Sequence, residues 1–137
     1  MYWIALLALL LAAAYDQRSR EIPNWISLVL LIVALGAKLA GWHPVSWTGI
    51  LVGLGAAFAV SFALFALGGL GGGDVKLLTA LGAALGGSAF VPFAVATTLV
   101  GVFFAWRAKR RGDREIAYAP AMLAGLCSLL PLVLLAR

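Results

Sequence analysis

Six apolar segments alternate with short breaks along the chain, and each break contains charged residues, glycine or proline. A helix needs about 20 apolar residues to cross a hydrocarbon core of roughly 30 Å, and several of these segments approach that length. They cover residues 2–15, 25–41, 47–67, 75–86, 90–106 and 118–136. The pattern predicts an all-α polytopic membrane protein with about six transmembrane helices, formed by residues 1–137 as a single domain.

The stretch 75–106 is predicted to form two helices. One continuous helix would be about 48 Å long at about 1.5 Å per residue, which is well beyond one hydrocarbon core. Residues that favour a break lie near its middle, namely Gly86, Gly87, Ser88 and Pro92. We therefore expect the chain to be interrupted close to these residues.

The first segment has two interpretations. The sequence Ala12-Ala13-Ala14 resembles the cleavage site of a secretory signal peptide. Such peptides carry a basic region before their apolar run, and residues 1–11 contain no Lys or Arg. We therefore expect a retained helix.

The composition excludes several classes of protein. The chain is 64% hydrophobic and 11% charged, whereas a soluble domain carries about 25% charged residues. A soluble enzyme, a disordered tail and a conventional nucleic-acid binder are therefore excluded. The net charge of +5 need not indicate a polyanionic partner, because surplus Lys and Arg in a membrane protein usually report its topology.

The basic residues are unevenly distributed over the predicted loops. Six spans place loops 16–24, 68–76 and 107–117 on one side of the membrane. That side holds eight of the ten basic residues: Arg18, Arg20, Lys76, Arg107, Lys109, Arg110, Arg111 and Arg114. By the positive-inside rule this side is cytoplasmic and both termini are extracytoplasmic.

Two of the five acidic residues, Asp16 and Asp74, directly abut apolar segments at their predicted cytoplasmic ends. Ionisable groups at a membrane span are costly and are candidates for function. Two carboxylates held close together cannot both ionise easily, so one retains a proton while the other acts as a base. This arrangement can activate a water molecule against a peptide carbonyl.

Structural roles for the same residues remain open at this stage. Asp74 could cap the helix that follows it, and Asp16 could mark a helix end at the membrane surface. Gly71 and Gly73 permit backbone conformations closed to other residues and allow another chain to approach. Lys76 could tune the acid pair, contact an acidic group on a substrate, or anchor the helix at the interface.

Two sequence motifs carry a family resemblance. The sequence DQRSREIPN at 16–24 resembles the first aspartate motif of type IV prepilin peptidases, and GGGDVKLL at 71–78 resembles their second, the GxGD motif. Residues 116–122 resemble a third family segment, but Ala117 stands where that segment has proline, and we assign the Tyr118–Met122 stretch no role. The chain most resembles the short, single-domain branch that serves Flp (Tad) pili.

Larger relatives of this type insert a cytoplasmic region with paired cysteines and also methylate the new pilin N-terminus. The chain has about nine residues between its first two segments and one cysteine, Cys127. The resemblance therefore implies a peptidase without methyltransferase activity, without bound zinc and without any other cofactor.

The resemblance implies an intramembrane aspartic endopeptidase of the cell inner membrane, with its active site on the cytoplasmic side. It would cleave the leader of a prepilin that has a basic leader and an apolar helix, through a water activated by Asp16 and Asp74. Further residues expected near the substrate are Gly71, Gly73, Lys76, Pro23 and Asn24. Alternatives are a non-enzymatic membrane assembly factor and an enzyme with the substrate range of the archaeal preflagellin peptidases.

Overall fold

The computed structural model describes residues 2–19, 23–66, 70–111 and 125–127. These residues form helices α1 (Tyr2–Ser19), α2 (Asn24–Leu39), α3 (Trp47–Ala66) and α4 (Gly72–Arg111), and the described part of the chain contains no strand. The predicted all-α class is confirmed for these ranges. Most of the predicted segment 118–136 lies outside the described residues. Helical residues 125–127 contact α1, because the Tyr2 hydroxyl donates a hydrogen bond to the Leu126 carbonyl.

Local hydrogen bonds explain where α2 ends and α3 begins. Gly41 takes a left-handed conformation with φ of 76°, and the backbone N–H of Trp42 donates to the Ala37 carbonyl at 2.8 Å. This is a Schellman-type helix end, which favours glycine at the left-handed position. Ser46 precedes α3, and its hydroxyl accepts the backbone N–H of Gly49 at 3.0 Å, as an N-cap does.

Helix α4 is interrupted at Gly86, as the sequence predicts for this stretch. Gly86 has φ of 74° and ψ of 165°, which is not a helical conformation. Only glycine adopts such a conformation readily, and a Cβ atom there would lie 2.6 Å from Cγ1 of Val45. Pro92, by contrast, lies inside the helix that continues after the break.

The described residues include two helices that are long and apolar enough to cross a membrane. These are α3 and the part of α4 from Gly72 to Leu99, whereas α2 and the apolar part of α1 are shorter. Large apolar side chains also cover the outer surface of α3, where Leu51 is 64% exposed. Other large exposed apolar side chains of α3 are Val52, Phe58, Phe62 and Phe65. Since soluble proteins rarely expose an apolar patch of this kind, this surface is typical of a protein that contacts lipid.

Helices α3 and α4 pack at very close range through glycine. A Cβ on Gly53 would lie 2.8 Å from the backbone carbon of Gly86 and would also overlap the Gly82 carbonyl oxygen. Gly82 in turn meets Ala57, so α3 and the first half of α4 run antiparallel. The sequence contains two Gly-x-x-x-Gly patterns, Gly49 to Gly53 and Gly82 to Gly86, which favour tight packing between membrane helices. Gly53 and Gly82 make that close contact.

His43 fastens the loop between α2 and α3 onto α4. Its side chain is only 2% exposed; Nδ1 accepts the backbone N–H of Val45 at 3.2 Å, and Nε2 lies 3.1 Å from the Ala84 carbonyl oxygen. Since Nδ1 accepts, the proton of the neutral ring is on Nε2, which donates to Ala84. Burial lowers the pKa of His43 below its usual value of 6.5.

Candidate active site

Three helix ends meet at one end of the molecule: the C-terminal end of α1 and the N-terminal ends of α2 and α4. The rings of Tyr15 and Trp25 pack edge to face with centroids 6.3 Å apart, which joins α1 to α2. The ammonium group of Lys76 donates to Oδ1 of Asn24 at 3.0 Å, which joins α2 to α4. The residues of the two sequence motifs therefore lie together in space.

Asp74 lies in the first turn of α4 and fixes the start of that helix. Its Oδ2 accepts the backbone N–H of Gly71 at 3.2 Å, and the backbone N–H of Val75 donates to the Gly71 carbonyl at 3.2 Å. Gly71 is thus the N-cap residue, and Asp74, three positions later, reaches back to it as the acidic residue of a capping box does. The capping role considered for Asp74 is present in this form, with the half-buried carboxylate at the helix start.

Asp16 lies near the end of α1 and is also half-buried. The carboxylates of Asp16 and Asp74 are close enough to interact electrostatically. The structure therefore places the two acidic residues that the sequence singles out at the same end of the molecule.

The two motif glycines lie at the start of α4. Among the described glycines, positive φ occurs at Gly41 and Gly86, so Gly71 and Gly73 do not use the conformational freedom that glycine permits. Gly73 lies inside α4. Gly71 matters through proximity, because a Cβ on it would lie 3.3 Å from Oδ2 of Asp74.

Pro23 and Asn24 form the start of α2. Pro23 is the N-cap residue, with φ of −60° and ψ of 131° and no side-chain cap, and its carbonyl accepts the backbone N–H of Ile26 at 3.1 Å. The Asn24 side chain therefore does not cap α2, and its Oδ1 accepts the hydrogen bond from Lys76. This partnership was missed from the sequence, because the two residues lie in different motifs and neither spacing nor periodicity connects them.

A groove opens beside this helix-end cluster, between α2, α3 and α4. We call it the α2–α4 groove; its volume is about 550 Å³. Its lining residues are Asn24, Trp25, Ser27, Leu28, Leu31, Phe58, Val75, Lys76, Thr79 and Ala80. The polar end of the groove holds Asn24 and Lys76. Val75, which also lines the groove, directly follows Asp74 in the chain. Nothing in the sequence pattern pointed to Ser27, Phe58 or Thr79 as lining residues.

Comparison with known proteins identifies the family of the chain. The model of the type IV leader peptidase family matches residues 3–106, which is most of the chain. The chain belongs to the type IV leader peptidase family. In this family member the matched region contains Asp16, Asp74 and every residue that lines the α2–α4 groove.

Curated relatives of this family member have peptidase names. A prepilin leader peptidase/N-methyltransferase of Burkholderia pseudomallei is 31% identical over 129 residues, covering 86% of the chain and 41% of the relative. A protein of the same name from Bacillus subtilis is 31% identical over 124 residues, covering 85% and 49%. A preflagellin peptidase of Methanococcus voltae is 34% identical over 97 residues, covering 65% and 40%. The chain thus spans less than half the length of each, and no solved structure matches it.

Proposed function

We propose that this member of the type IV leader peptidase family is an intramembrane aspartic endopeptidase that removes the leader from Flp-type prepilins. One observation carries the proposal: the helix ends that hold Asp16 and Asp74, far apart in the sequence, meet at one end of the molecule, where Lys76 bonds Asn24 and Tyr15 packs against Trp25. An acid pair at helix ends within an otherwise apolar protein is an arrangement that favours proton transfer.

The chemistry needs only the two carboxyl groups and one water molecule. The ionised carboxylate takes a proton from the water while the protonated carboxyl gives its proton to the oxygen of the scissile carbonyl. The water oxygen bonds to the carbonyl carbon and forms a tetrahedral diol. As the diol collapses, the C–N bond breaks and the proton taken from the water passes to the leaving amine nitrogen. One diol hydroxyl returns its proton to the other carboxylate as the new carbonyl forms.

The products are a leader with a new carboxyl group and a pilin with a new amino terminus. The two carboxyl groups again hold one proton and one charge between them. The reaction uses no metal, nucleotide or other cofactor and forms no covalent enzyme intermediate.

The proposal is for cleavage alone, without methylation of the pilin. Four residues, 20–23, separate α1 from α2, and the chain has a single cysteine, which leaves no paired cysteines for a zinc site. Incubating the protein with S-adenosylmethionine and a cleaved pilin tests this part of the proposal, and transfer of a methyl group would overturn it.

The protein's placement in the membrane is proposed from its charges. The single domain of residues 1–137 crosses the inner membrane about six times, has both termini outside the cytoplasm and contacts the substrate at the cytoplasmic face. Lys76, on the same helix turn as Asp74, is basic, as the positive-inside rule expects of that face. Gly71, Gly73, Pro23 and Asn24 border the acid pair and are proposed to lie near the substrate.

Cleavage of a purified Flp-type pilin precursor by the purified protein tests the function directly. The wild-type protein is expected to shorten the precursor on a gel, whereas Asp16→Asn and Asp74→Asn each abolish the shortening while the protein remains in the membrane. Asp113→Asn is the matched control, since Asp113 belongs to a predicted polar loop, and it is expected to cleave normally. Full activity of either Asp16→Asn or Asp74→Asn would contradict the acid-pair mechanism.

The Methanococcus voltae match favours a second substrate class. That relative is a preflagellin peptidase, so a preflagellin with a basic leader is the alternative substrate. Parallel incubations with the two precursors distinguish the possibilities, and the faster of the two reactions identifies the preferred class. If neither precursor is cut, the non-enzymatic alternative, a membrane assembly factor, replaces the proposed peptidase.

A further inference from the structure

We infer that Asn24 and Trp25, the first two residues of α2, are positioning residues that hold the helix ends bearing Asp16 and Asp74 at a fixed separation. We call these two residues the α2 bridge. The inference rests on the proposed function and deepens it, because the α2 bridge acts on the acid pair without touching the reacting atoms. It also gives Lys76 one role among those that the sequence left open, namely that of a partner of the bridge.

One side of the α2 bridge contacts α1 next to Asp16. The rings of Trp25 and Tyr15 pack edge to face with centroids 6.3 Å apart, which is a favoured geometry for an aromatic pair. Tyr15 directly precedes Asp16, and consecutive Cα atoms are only about 3.8 Å apart. A ring contact that holds Tyr15 therefore also limits the movement of Asp16 relative to α2.

The other side of the α2 bridge contacts α4 two positions after Asp74. Oδ1 of Asn24 accepts a hydrogen bond from the Lys76 ammonium group at 3.0 Å, and a hydrogen bond with a charged donor is stronger than one between neutral groups. The Asp74 carboxylate is itself held to the backbone N–H of Gly71. This carboxylate is therefore fixed to the same helix start that Lys76 ties to α2.

The local sequence explains how one short stretch reaches both neighbouring helices. Successive residues of a helix point about 100° apart, so Asn24 and Trp25 can face different helices. Pro23 precedes them as the N-cap residue with φ of −60°, a value that the proline ring enforces. The path of the chain into α2 is therefore restricted directly before the two residues that make the contacts.

The hydrogen bond of the α2 bridge fixes geometry more than it stabilises the fold. Asn24 and Lys76 are both exposed, so water competes for their hydrogen bond and its net contribution to folding is small. Catalysis is more sensitive, because a displacement of about 1 Å between reacting groups can cost about 100-fold in rate. Loss of this bond is therefore expected to change kcat strongly and thermal stability little.

Kinetic measurements on the hydrogen-bonded pair test this role. Asn24→Ala and Lys76→Met are each expected to lower kcat for a Flp-type prepilin about 10-fold with KM unchanged. The double variant is expected to lose no more than either single variant, because both substitutions remove the same bond. Lys76→Arg keeps a donor and is expected to retain most of the activity. If the two single losses multiply in the double variant, Lys76 acts separately on the substrate or on the acid pair, and the inference is wrong.

The aromatic side of the α2 bridge has a closely matched control. Trp25→Ala is expected to lower kcat, and Trp25→Phe, which keeps a ring, is expected to restore most of it. Trp47→Ala is the control, since Trp47 at the start of α3 is 47% exposed and Trp25 is 48% exposed. Ser46→Ala, which removes an exposed 3.0 Å hydrogen bond at the start of α3, is expected to lower the unfolding temperature without changing kcat. Normal kcat in Trp25→Ala, or equal losses of kcat in the two controls, would overturn the inference.

Spin-label distances test the α2 bridge without any substrate. In a Cys127→Ser background, Arg18→Cys and Gly72→Cys place nitroxide labels near the end of α1 and at the start of α4. Arg18 is exposed, and nothing lies within 4 Å of the Cβ position of Gly72. One narrow distance distribution is expected with the bridge intact, and a broader one in Asn24→Ala and in Trp25→Ala. Identical distributions in all three proteins would overturn the inference.

The two proposals fail in different ways. If the wild-type protein cleaves the precursor and the variants of the α2 bridge cleave it at the same rate, the positioning role is wrong and the peptidase proposal stands. If the wild-type protein cleaves no precursor, the peptidase proposal fails. A broader label distance in the variants would still show that the α2 bridge holds the two helix ends.

Discussion

Gly71 and Asp74 meet at a single carboxylate oxygen. The backbone N–H of Gly71 donates to Oδ2 of Asp74 at 3.2 Å, and a Cβ on Gly71 would lie 3.3 Å from the same atom. The glycine therefore both holds this carboxylate and leaves room for it. Gly72, the next residue, has nothing within 4 Å of its Cβ position. A methyl group would therefore disturb the Asp74 carboxylate if added to Gly71 but would contact nothing if added to Gly72.

Gly71→Ala is expected to lower kcat about tenfold, because the added methyl group displaces the Asp74 carboxylate by a few tenths of an ångström and catalytic geometry is sensitive on this scale. Gly72→Ala is expected to keep full activity and to stabilise α4 by about 0.5–1 kcal/mol. Cleavage rates and thermal unfolding in detergent measure both effects. Equal activities of the two variants would contradict the role given to Gly71.

Substitutions of Asp74 separate its capping role from its proposed catalytic role. Asn keeps an oxygen that can accept the Gly71 N–H, whereas Ala removes it. Asp74→Asn and Asp74→Ala are therefore both expected to be inactive, but only Asp74→Ala loses about 1 kcal/mol of unfolding free energy. An active Asp74→Asn variant would show that Asp74 caps α4 but takes no part in catalysis.

Gly53→Ala is expected to destabilise the protein by about 1–3 kcal/mol or more, because its Cβ would overlap the backbone of α4. Gly55→Ala is the matched control on the same helix, since nothing lies within 4 Å of that Cβ position. Its unfolding free energy is expected to stay equal or to rise by up to about 1 kcal/mol. Denaturation of the two variants in the same detergent compares them, and similar losses would argue against the close glycine crossing.

Acidification is expected to weaken the attachment of the α2–α3 loop through His43. Burial lowers the pKa of His43 below 6.5, so the unfolded chain binds a proton at a pH where the folded protein does not. The contribution of His43 to stability is therefore complete above about pH 6.5 and is lost as the pH falls below it. Because the chain has one histidine, the difference in pH dependence between the wild type and His43→Asn isolates this effect. If the stability of the two proteins changes with pH in the same way, this contribution of His43 is refuted.

Reporter fusions test the proposed topology. With about six spans and a basic cytoplasmic face, alkaline phosphatase fused after Arg137 is expected to be active and green fluorescent protein at the same place to be dark. A fusion inserted within loop 107–117 is expected to give the opposite pair of results. A cytoplasmic C-terminus would show that 75–106 crosses the membrane an odd number of times or that 118–136 does not cross it.

The sequence predicted the helices better than the contacts between them. Apolar segments and charged breaks located α2 and α3 closely, because lipid-facing and packed positions are apolar alike and only the ends are polar. The break near Gly86 was also predicted, but four residues could have caused it. The break is at Gly86, which has φ of 74°. No residue with a side chain fits there, because Val45 occupies the space where a Cβ would be.

Contacts between distant residues could not be predicted from one sequence. The Asn24–Lys76 hydrogen bond depends on how α2 lies against α4, and nothing in the local pattern of either helix encodes that. The contact at Gly71 could not be predicted for a related reason, because it depends on the position of the Asp74 side chain three residues later.

The short length of α2 affects the lipid around the protein. Its 16 residues span about 24 Å, compared with about 30 Å for an average hydrocarbon core. Where α2 crosses the membrane, a bilayer adapts to so short a helix by thinning locally. Such thinning would bring water and headgroups several ångströms closer to the end of the molecule that holds Asp16 and Asp74. For the proposed peptidase, a charged leader would then not have to enter hydrocarbon to reach the two carboxyl groups.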